Sequence, residues 1–358
     1  MMRIDVSGII LIELEFTDSI SCMVNLLESP IKRTMNYVIT AIARGTEFSA
    51  ADNAAISEVL KKLPIKLGSF SVLSQSKATD FIFDIDLTKV DHSGKPDEST
   101  LKDVESSIRK NLKTAEYSVP NVDLIFQKND QHRKDKKLIV FDMDSTLIMQ
   151  EVIELIAAQA GVEEQVADIT TRSMNGELDF RQSLASRVAL LRGIKSSTLW
   201  QDLKPQLTLT PGTKELCKVM KNAGCKLAVC SGGFLPLAEY VKEQLGLDYA
   251  FANLLETEKD QENTEILSGK TLGEIVDGAR KRDLLVQLAE ENGIPLEKTV
   301  AVGDGANDLL MMHRAGYGIA WNAKPKVQLE APCCLNSGSL KDALYIFGYN
   351  DLEIEPLV

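Results

Sequence analysis

Two aspartates stand two residues apart directly after a short apolar run. Residues 138–141 are Leu-Ile-Val-Phe, and Asp142 and Asp144 follow them. A run that is apolar at every position predicts a central strand buried on both faces, and side chains at i and i+2 of a strand point the same way. Two facing acids repel each other, so the pair predicts a divalent metal, a shared proton, or a nucleophile beside an acid. A single Asp there would equally suit a helix start, but the pair followed by Ser-Thr favours chemistry.

A second apolar run ends in small polar residues. It covers residues 226–230, and Ser231, Gly232 and Gly233 follow it. A hydroxyl and exposed backbone N–H groups just before a helix form a cradle for an oxyanion or a phosphate. Ser-Gly-Gly is also an ordinary turn, so the residues alone leave both interpretations open.

A third apolar run, at residues 299–302, ends in Gly-Asp-Gly-Ala-Asn-Asp at 303–308. Asp304, Asn307 and Asp308 offer hard oxygen ligands, which suit Mg²⁺ better than zinc. A plain turn has the same composition, but a turn does not explain why a third strand should end in acids. Because ligands bind beyond the carboxyl ends of parallel strands, the three runs predict one shared site.

These motifs, in this order, resemble the haloacid dehalogenase superfamily of phosphotransferases. The resemblance rests on Asp-x-Asp-x-Thr at 142–146, a strand ending in Ser231, then Lys281, then the motif at 303–308. The segments at 229–234 and 245–253, with Glu151 after the first motif, are similar to the phosphoserine phosphatase subfamily. The resemblance covers roughly residues 137–343. From composition alone, Lys281 would be a solvated basic residue near a helix start.

The resemblance implies roles for the acids. Asp142 is expected to be the nucleophile that forms an aspartyl phosphate, and Asp144 the general acid and base. Mg²⁺ is expected to bind Asp142, the backbone carbonyl of Asp144, and Asp304. Asp308 is expected to orient Lys281 or to support the metal site from behind. The groups expected around the phosphoryl oxygens are Ser231, the N–H of Gly232, Lys281 and Asn307.

Substrate choice is expected in an insertion at about residues 150–209, whose largely helical pattern resembles the small cap of the subfamily. The resemblance implies that Glu151 binds the substrate ammonium and Arg187 its carboxylate. Met174 and Phe180 occupy the apolar cap positions that would exclude water on closure. Without the resemblance, a lone Glu and Arg indicate solvated surface, and Met and Phe indicate plain core.

The N-terminal third has the pattern of a second, α+β domain. Strands are predicted at 37–43, 69–74, 80–88 and 122–126, and helices at 49–63 and 98–115, with Ser49 as an N-cap. This β-α-β-β-α-β order is the ferredoxin-like plan and resembles a small regulatory ACT domain; the alternative is a dimerisation module without a ligand. The predicted organisation is an extra strand and helix at 1–35, the ACT-like domain at 36–127, a charged linker at 128–136 and the phosphatase domain at 137–358.

Composition excludes several classes of protein. The chain has 358 residues, 44% of them apolar, which allows two or three domains with sizeable cores. A net charge of −12 argues against nucleic-acid binding. No apolar stretch reaches the ~18 residues of a membrane span, and the N-terminus has no secretory pattern. Six cysteines without a Cys-x-x-Cys pair indicate free thiols in a reducing compartment, so we expect a cytoplasmic protein.

We therefore predict an α/β fold, with a Rossmann-like parallel sheet, a small helical cap and a ferredoxin-like N-terminal domain. The predicted activity is Mg²⁺-dependent hydrolysis of O-phosphoserine to L-serine, the last step of serine biosynthesis. The alternatives are a phosphatase for another small phosphomonoester and an amino-acid sensor with an inactive phosphatase half. A phosphorus-transfer ATPase is disfavoured, because no ATP-binding domain is evident. A homodimer through the N-terminal domain and L-serine as its regulator complete the prediction.

Overall fold

The computed structural model describes residues 36–45, 47–89, 98–174 and 177–357, without the side chains of residues 88, 98 and 174. The extra strand and helix predicted at 1–35 lie outside these residues. Within the described ranges, every helix is too short or too polar to span a bilayer.

The described strands form two sheets, one of four strands and one of seven. The strands are β1 Tyr37–Ala43, β2 Ile65–Ser74, β3 Ala78–Ile85, β4 Val122–Lys128, β5 Leu138–Phe141, β6 Lys226–Phe234, β7 Tyr249–Lys259, β8 Glu265–Leu272, β9 Thr299–Gly303, β10 Tyr317–Trp321 and β11 Cys333–Leu335.

The described α-helices are numbered in chain order. They are α1 Ala50–Lys62, α2 Glu98–Asn111, α3 Val152–Ala160, α4 Glu163–Met174, α5 Phe180–Ala189, α6 Ser196–Leu203, α7 Thr213–Asn222, α8 Leu235–Leu245, α9 Gly278–Glu291, α10 Leu309–Arg314, α11 Pro325–Glu330, α12 Ala343–Ile346 and α13 Asp351–Ile354.

Strand β5 lies in the middle of the seven-stranded sheet, whose order is β11-β10-β9-β5-β6-β7-β8. Its four residues are fully buried. Ile139 and Phe141 pack into one hydrophobic core, and Leu138 and Val140 pack into a second. Because alternate residues of a strand face opposite sides of its sheet, the two cores lie on opposite faces. The prediction of a central strand that is apolar on both faces is confirmed.

The sheet is not parallel throughout, and this corrects the predicted parallel sheet. Strand β8 pairs antiparallel with β7 and forms a hairpin at the sheet edge. The hairpin also contacts the helical insertion, since Leu267 N donates to Ile194 O (2.8 Å) and Gly193 N donates to Leu267 O (2.9 Å). The sequence gives no clear signal for it, because residues 256–265 are mostly charged or polar and predict a loop.

Four helices, α3 to α6, fall within residues 150–209, where the pattern predicts a helical insertion. The chain enters and leaves this segment through two adjacent extended stretches. Met149 N donates to Thr208 O (2.9 Å), and Thr210 N donates to Leu147 O (2.9 Å). Both ends of the insertion therefore leave the sheet side by side.

The N-terminal sheet has the strand order β2-β3-β1-β4, and all its pairings are antiparallel. Helices α1 and α2 pack on one face, where Ile39 meets Ile56 and Ile108. Ser49 caps α1, as predicted: its side chain accepts from Asp52 N, and the Asp52 side chain accepts from Ser49 N. The described elements follow the order β-α-β-β-α-β, while the assignment to an ACT-like domain stays a prediction.

The segment predicted as a charged linker is largely integrated into the fold. Lys128 ends strand β4, and Arg133 is only 7% exposed. The Arg133 guanidinium forms two hydrogen bonds to Asp80, of 2.7 and 2.8 Å. It also donates to the carbonyls of Ile346 (3.1 Å) and Tyr345 (3.2 Å). One buried arginine thus joins the N-terminal sheet to the C-terminal helices, a role that local charge composition does not reveal.

Replacing Arg133 with Met is expected to lower the free energy of unfolding by about 3–5 kcal/mol, because the buried Asp80 carboxylate loses its partner. The matched control is Lys134→Met, since Lys134 is half exposed and pairs with Glu353 at the surface, where an ion pair contributes up to about 1 kcal/mol. Urea denaturation of both variants measures the difference. Adding Asp80→Leu to Arg133→Met should restore part of the loss. Equal effects of the two single changes would contradict the buried pair.

Candidate active site

Three neighbouring strands bring the predicted groups to one edge of the sheet. Strands β9, β5 and β6 are adjacent and parallel. Asp142 follows β5, Ser231 lies in the last part of β6, and Asp304 follows β9. Their carboxyl ends form the crevice in which ligands of open α/β sheets bind.

Lys281 lies at the centre of the crevice and is fully buried. Its Nζ lies 2.8 Å from Asp142 Oδ1 and 2.7 Å from Asp308 Oδ1. It belongs to the first turn of α9, whose N-cap is Asp277. Burial opposes the charge of Lys281, but the carboxylates of Asp142 and Asp308 outweigh it and raise the pKa of the amine above its ordinary value. The surface interpretation suggested by composition is wrong.

Asp308 is held on both of its carboxylate oxygens. Oδ1 accepts from Lys281, and Oδ2 accepts from Gly305 N at 3.0 Å. The loop comes so close to β9 that a Cβ on Gly303 would lie 2.4 Å from Asp308 Oδ2. Only glycine fits there without displacing the carboxylate. The loop geometry therefore fixes the acid that orients Lys281.

Three carboxylates have the arrangement of a metal site. Ligand oxygens of Asp142, Asp304 and Asp308 all lie within 4.8 Å of one another. Burial, followed by the charges of Asp142 and Glu151, raises the pKa of Asp304 to about 7, although Thr146 Oγ1 donates to it (3.3 Å). This excess of negative charge and the hard oxygen donors fit Mg²⁺.

Asp144 reaches the site by a route different from the predicted one. Strand β5 ends at Phe141, and Asp144 lies in the tight turn that follows, where Ser145 has a φ of +55°. The turn, not strand alternation, places Asp144 near Asp142. Its Oδ1 is buried without a hydrogen-bond partner among the described residues. Burial, followed by the charges of Glu151 and Asp142, raises the pKa of Asp144 well above its ordinary value, so the group suits proton transfer.

Ser231 and Gly232 form a narrow backbone cradle opposite the acids. Ser231 is fully buried, and its Oγ accepts from Gly233 N at 2.8 Å. The carbonyl of Gly232 accepts from Asn253 Nδ2, also at 2.8 Å. Asn253 in turn accepts from Val276 N (2.8 Å). The cradle is therefore supported from behind, which favours a fixed geometry over a mobile turn.

Glu151 and Arg187 face the site from the helical insertion. Glu151 accepts a hydrogen bond from Ser145 Oγ (2.8 Å), and Arg187 Nε donates to Ser183 O (3.3 Å). Burial lowers the pKa of Arg187, while the charges of Glu151, Asp144 and Glu154 act against that shift. Arg187 therefore lies in the electrostatic field of the same acids.

Phe180 covers the cradle from above. A Cβ on Gly232 would lie 2.9 Å from Phe180 Cζ and 3.8 Å from Asn307 Nδ2. The phenyl ring thus lies against the backbone of Gly232, with Asn307 at the same point. Met174 ends helix α4, and its side chain lies outside the described residues.

An ion pair ties the insertion to the sheet domain. Arg181, beside Phe180 in α5, contacts Asp277 Oδ2 through Nε (2.7 Å) and a terminal guanidinium nitrogen (2.6 Å). Asp277 also accepts from Arg280 N (2.9 Å) as the N-cap of α9. The pair thus links the residue next to Phe180 with the helix that carries Lys281.

Sequence reasoning left three of these supporting residues without a role. Thr146 was visible as the last position of the Asp-x-Asp-x-Thr motif, and Asn253 as the end of the segment at 245–253. Asp277 gave only the weak signal of an acid before a helix. The contacts of Thr146 and Asn253 come from distant parts of the chain, and spacing alone does not reveal such partners.

Comparison with known proteins gives a consistent result. The model of the haloacid dehalogenase-like hydrolases matches residues 136–316. The phosphoserine phosphatase of Saccharomyces cerevisiae is 54% identical over 251 residues, which cover 70% of this chain and 80% of that protein.

Two solved structures extend the comparison. One, described as a phospho-aspartyl intermediate analogue of phosphoserine phosphatase, is 44% identical with a TM-score of 0.54 and covers 59% of this chain and 99% of its own. A probable phosphoserine phosphatase from Vibrio cholerae, in unliganded form, is 28% identical with a TM-score of 0.61 and covers 94% of this chain and 96% of its own. The latter likeness extends well beyond the family match at 136–316.

Proposed function

We infer, for a chain that belongs to the haloacid dehalogenase-like hydrolases and to their phosphoserine phosphatases, that it hydrolyses O-phosphoserine to L-serine and phosphate. The 54% identity to the yeast enzyme, over 80% of that enzyme's length, carries this conclusion. The buried cluster of Asp142, Lys281 and Asp308 supplies the charges that a phosphoryl group needs. The proposed place of the reaction is the end of serine biosynthesis.

In the proposed first step, an Asp142 carboxylate oxygen attacks phosphorus. The bond from phosphorus to the seryl oxygen breaks, and that oxygen takes a proton from Asp144. The raised pKa of Asp144 supports this role, because a buried carboxyl that holds its proton is a competent acid. The phospho-aspartyl analogue known for a 44% identical phosphoserine phosphatase supports an aspartyl phosphate here.

In the proposed second step, Asp144 takes a proton from water as the water oxygen attacks phosphorus. The bond to Asp142 breaks, and phosphate leaves with Asp142 again a carboxylate. Mg²⁺, bound by Asp142, the Asp144 carbonyl and Asp304, would supply positive charge opposite the phosphoryl oxygens. Asp308 is proposed to position Lys281, because hydrogen bonds occupy both of its oxygens. The other proposed contacts to the phosphoryl oxygens come from Ser231, the N–H of Gly232, Lys281 and Asn307.

The helical insertion is proposed to act as a cap that selects the substrate. Glu151 would bind the ammonium group and Arg187 the carboxylate of phosphoserine. Phe180 and Met174 would exclude water, and the contact of the Phe180 ring with Gly232 supports this for Phe180. A comparison of phosphoserine with phosphothreonine, phosphoethanolamine and sugar phosphates tests the assignment. A higher kcat/KM for a sugar phosphate than for phosphoserine would favour the alternative, a phosphatase for another phosphomonoester.

Replacing Arg181 with Gln is expected to lower kcat/KM for phosphoserine by up to about fivefold, because it removes an exposed ion pair that holds the cap on the sheet domain. Steady-state kinetics measures the change. Arg172→Gln is the matched control, since Arg172 pairs with Glu177 inside the cap and should leave kcat/KM unchanged. Equal kinetics for the two variants would show that the pair with Asp277 does not hold the cap.

The N-terminal domain is proposed to be ferredoxin-like and ACT-like, to join two chains into a homodimer, and to bind L-serine as a regulator. The described order of strands and helices supports the fold assignment. Sedimentation of the full chain tests the dimer. Inhibition by serine that is non-competitive with phosphoserine tests the regulatory site, since product inhibition at the active site is competitive. The proposed compartment is the cytoplasm, consistent with the free thiols of Cys217, Cys225, Cys230, Cys333 and Cys334.

A further inference from the structure

A cavity of about 340 Å³ lies where the N-terminal sheet meets the edge of the seven-stranded sheet. Strand β4 and the C-terminal end of α2 form one wall, and α11 and β11 form the other. None of its lining residues belongs to the active site described above. The volume is at the lower end of the range for small-molecule sites, so the cavity has room for a compact ligand.

The charged groups that line this cavity are mostly positive. Arg44, Arg109 and Lys113 face a single carboxylate among the described lining residues, that of Asp123. Asp123 accepts from Arg44 Nε (2.9 Å), from Asn336 N (2.5 Å) and from Asn336 Nδ2 (3.0 Å). Its charge is therefore already balanced by Arg44, and two cations remain without a counterion.

Arg109 is the more informative of these two cations. Its guanidinium carbon lies 5.3 Å from the centre of the Phe126 ring, and no carboxylate among the described residues pairs with it. Stacking on an aromatic face orients the guanidinium plane and leaves its edge free for a planar anion. Lys113 donates to the carbonyls of Leu329 (3.1 Å) and Ala331, which leaves its charge uncompensated as well.

We propose that this cavity binds a small organic anion with an apolar body. The edge of Arg109 would take a carboxylate or phosphate group in a two-point contact, with Lys113 adding charge. Leu112, Val119 and Leu329 supply apolar surface for the rest of the ligand. A net anion fits better than a zwitterionic amino acid, because Asp123 has no capacity left for an ammonium group. The ligand would contact both sheet domains at once.

Titration of the full chain with benzoate, followed by ligand-observed NMR, tests the proposal. Arg109→Gln should weaken benzoate binding at least about tenfold, because it removes a charge-assisted two-point contact. The matched control is Lys110→Gln, which removes the same charge from the next position of α2, an exposed residue outside the cavity lining; it should bind benzoate like the unchanged chain. Benzamide, which is neutral, should show no dependence on Arg109.

A second titration with inorganic phosphate separates the two chemical sources of the anion. Phosphate also binds the active site, so only the part that Arg109→Gln removes is diagnostic. Dependence on Arg109 for benzoate points to a carboxylate ligand, and dependence for phosphate points to a phosphate ester; either result upholds the site. If Arg109→Gln does not fold, Arg109→Lys, which keeps the charge without the planar fork, should bind with intermediate strength. Anion binding that no Arg109 variant weakens would overturn the proposal, and phosphoserine turnover would be unaffected by that result.

Discussion

Replacing Asp142 with Asn is expected to lower phosphoserine turnover by about 10⁴-fold or more, because the variant lacks the nucleophile of the covalent step. The protein should stay folded. Asn keeps the volume of the side chain, and Lys281 keeps its second carboxylate, Asp308, at 2.7 Å. Steady-state kinetics measures the loss of activity, and urea denaturation measures the free energy of unfolding. The two quantities should separate clearly, since a buried lysine that retains one partner is not left as an isolated charge.

The control for this experiment is Asp202→Asn, in the exposed part of the cap helix α6. This change removes the same charge without touching the crevice and should leave kcat and KM as they are. Acid quench during turnover, followed by peptide mass spectrometry, should locate the phosphoryl group on Asp142. Near-normal activity of Asp142→Asn, or a phosphoryl group on another residue, would remove Asp142 from the mechanism.

The sequence indicated the parts of the site that lie at strand ends. Asp142, Ser231 and Asp304 each follow or end an apolar run, and parallel strands necessarily bring such ends together. The position of Asp144 was expected for the wrong structural reason, since a tight turn with Ser145 at positive φ places it. Strand periodicity applies only while the chain remains a strand, and the sequence gives no clear sign that β5 ends at Phe141.

Contacts between distant segments were beyond the sequence patterns. Arg133 belongs to a charged stretch that indicates a linker, yet its guanidinium is buried against Asp80. Lys281 shows the same limit, because composition predicts exposure while two carboxylates from other segments make its burial favourable. The energy of a charge depends on the groups that the fold brings to it, and local composition does not contain that information.

The β7–β8 hairpin shows how a weak pattern becomes ordered through tertiary contacts. Its residues alternate poorly, and the pairing shifts register between Leu255 and Thr257. Hydrogen bonds from Gly193 and Leu267 join it to the helical insertion. Strand propensity depends strongly on such neighbours, so the hairpin and the cap position each other, and neither is specified by its own segment.

Replacing Arg187 with Ala is expected to lower kcat/KM for phosphoserine by about 2–5 kcal/mol of transition-state binding, or roughly 30- to 4,000-fold. The physical reason is the loss of a partly buried cation that would pair with the substrate carboxylate. Phosphoethanolamine has no carboxylate, so its slow hydrolysis should change far less. The measured quantity is the ratio of kcat/KM for the two substrates, and this ratio should fall in the variant. Generic damage to the active site would lower both values together and leave the ratio unchanged.

Arg192→Ala is the matched control for Arg187, because Arg192 follows the same helix but is exposed and pairs with Glu258 on the hairpin. Its preference for phosphoserine over phosphoethanolamine should equal that of the unchanged chain. Arg187 lies in the field of Glu151, Asp144 and Glu154, so its removal also leaves those acids with less opposing charge. That secondary effect acts on both substrates and cancels in the ratio. An unchanged ratio in Arg187→Ala would therefore show that Arg187 has a structural role, and the carboxylate contact would have to be sought elsewhere in the cap.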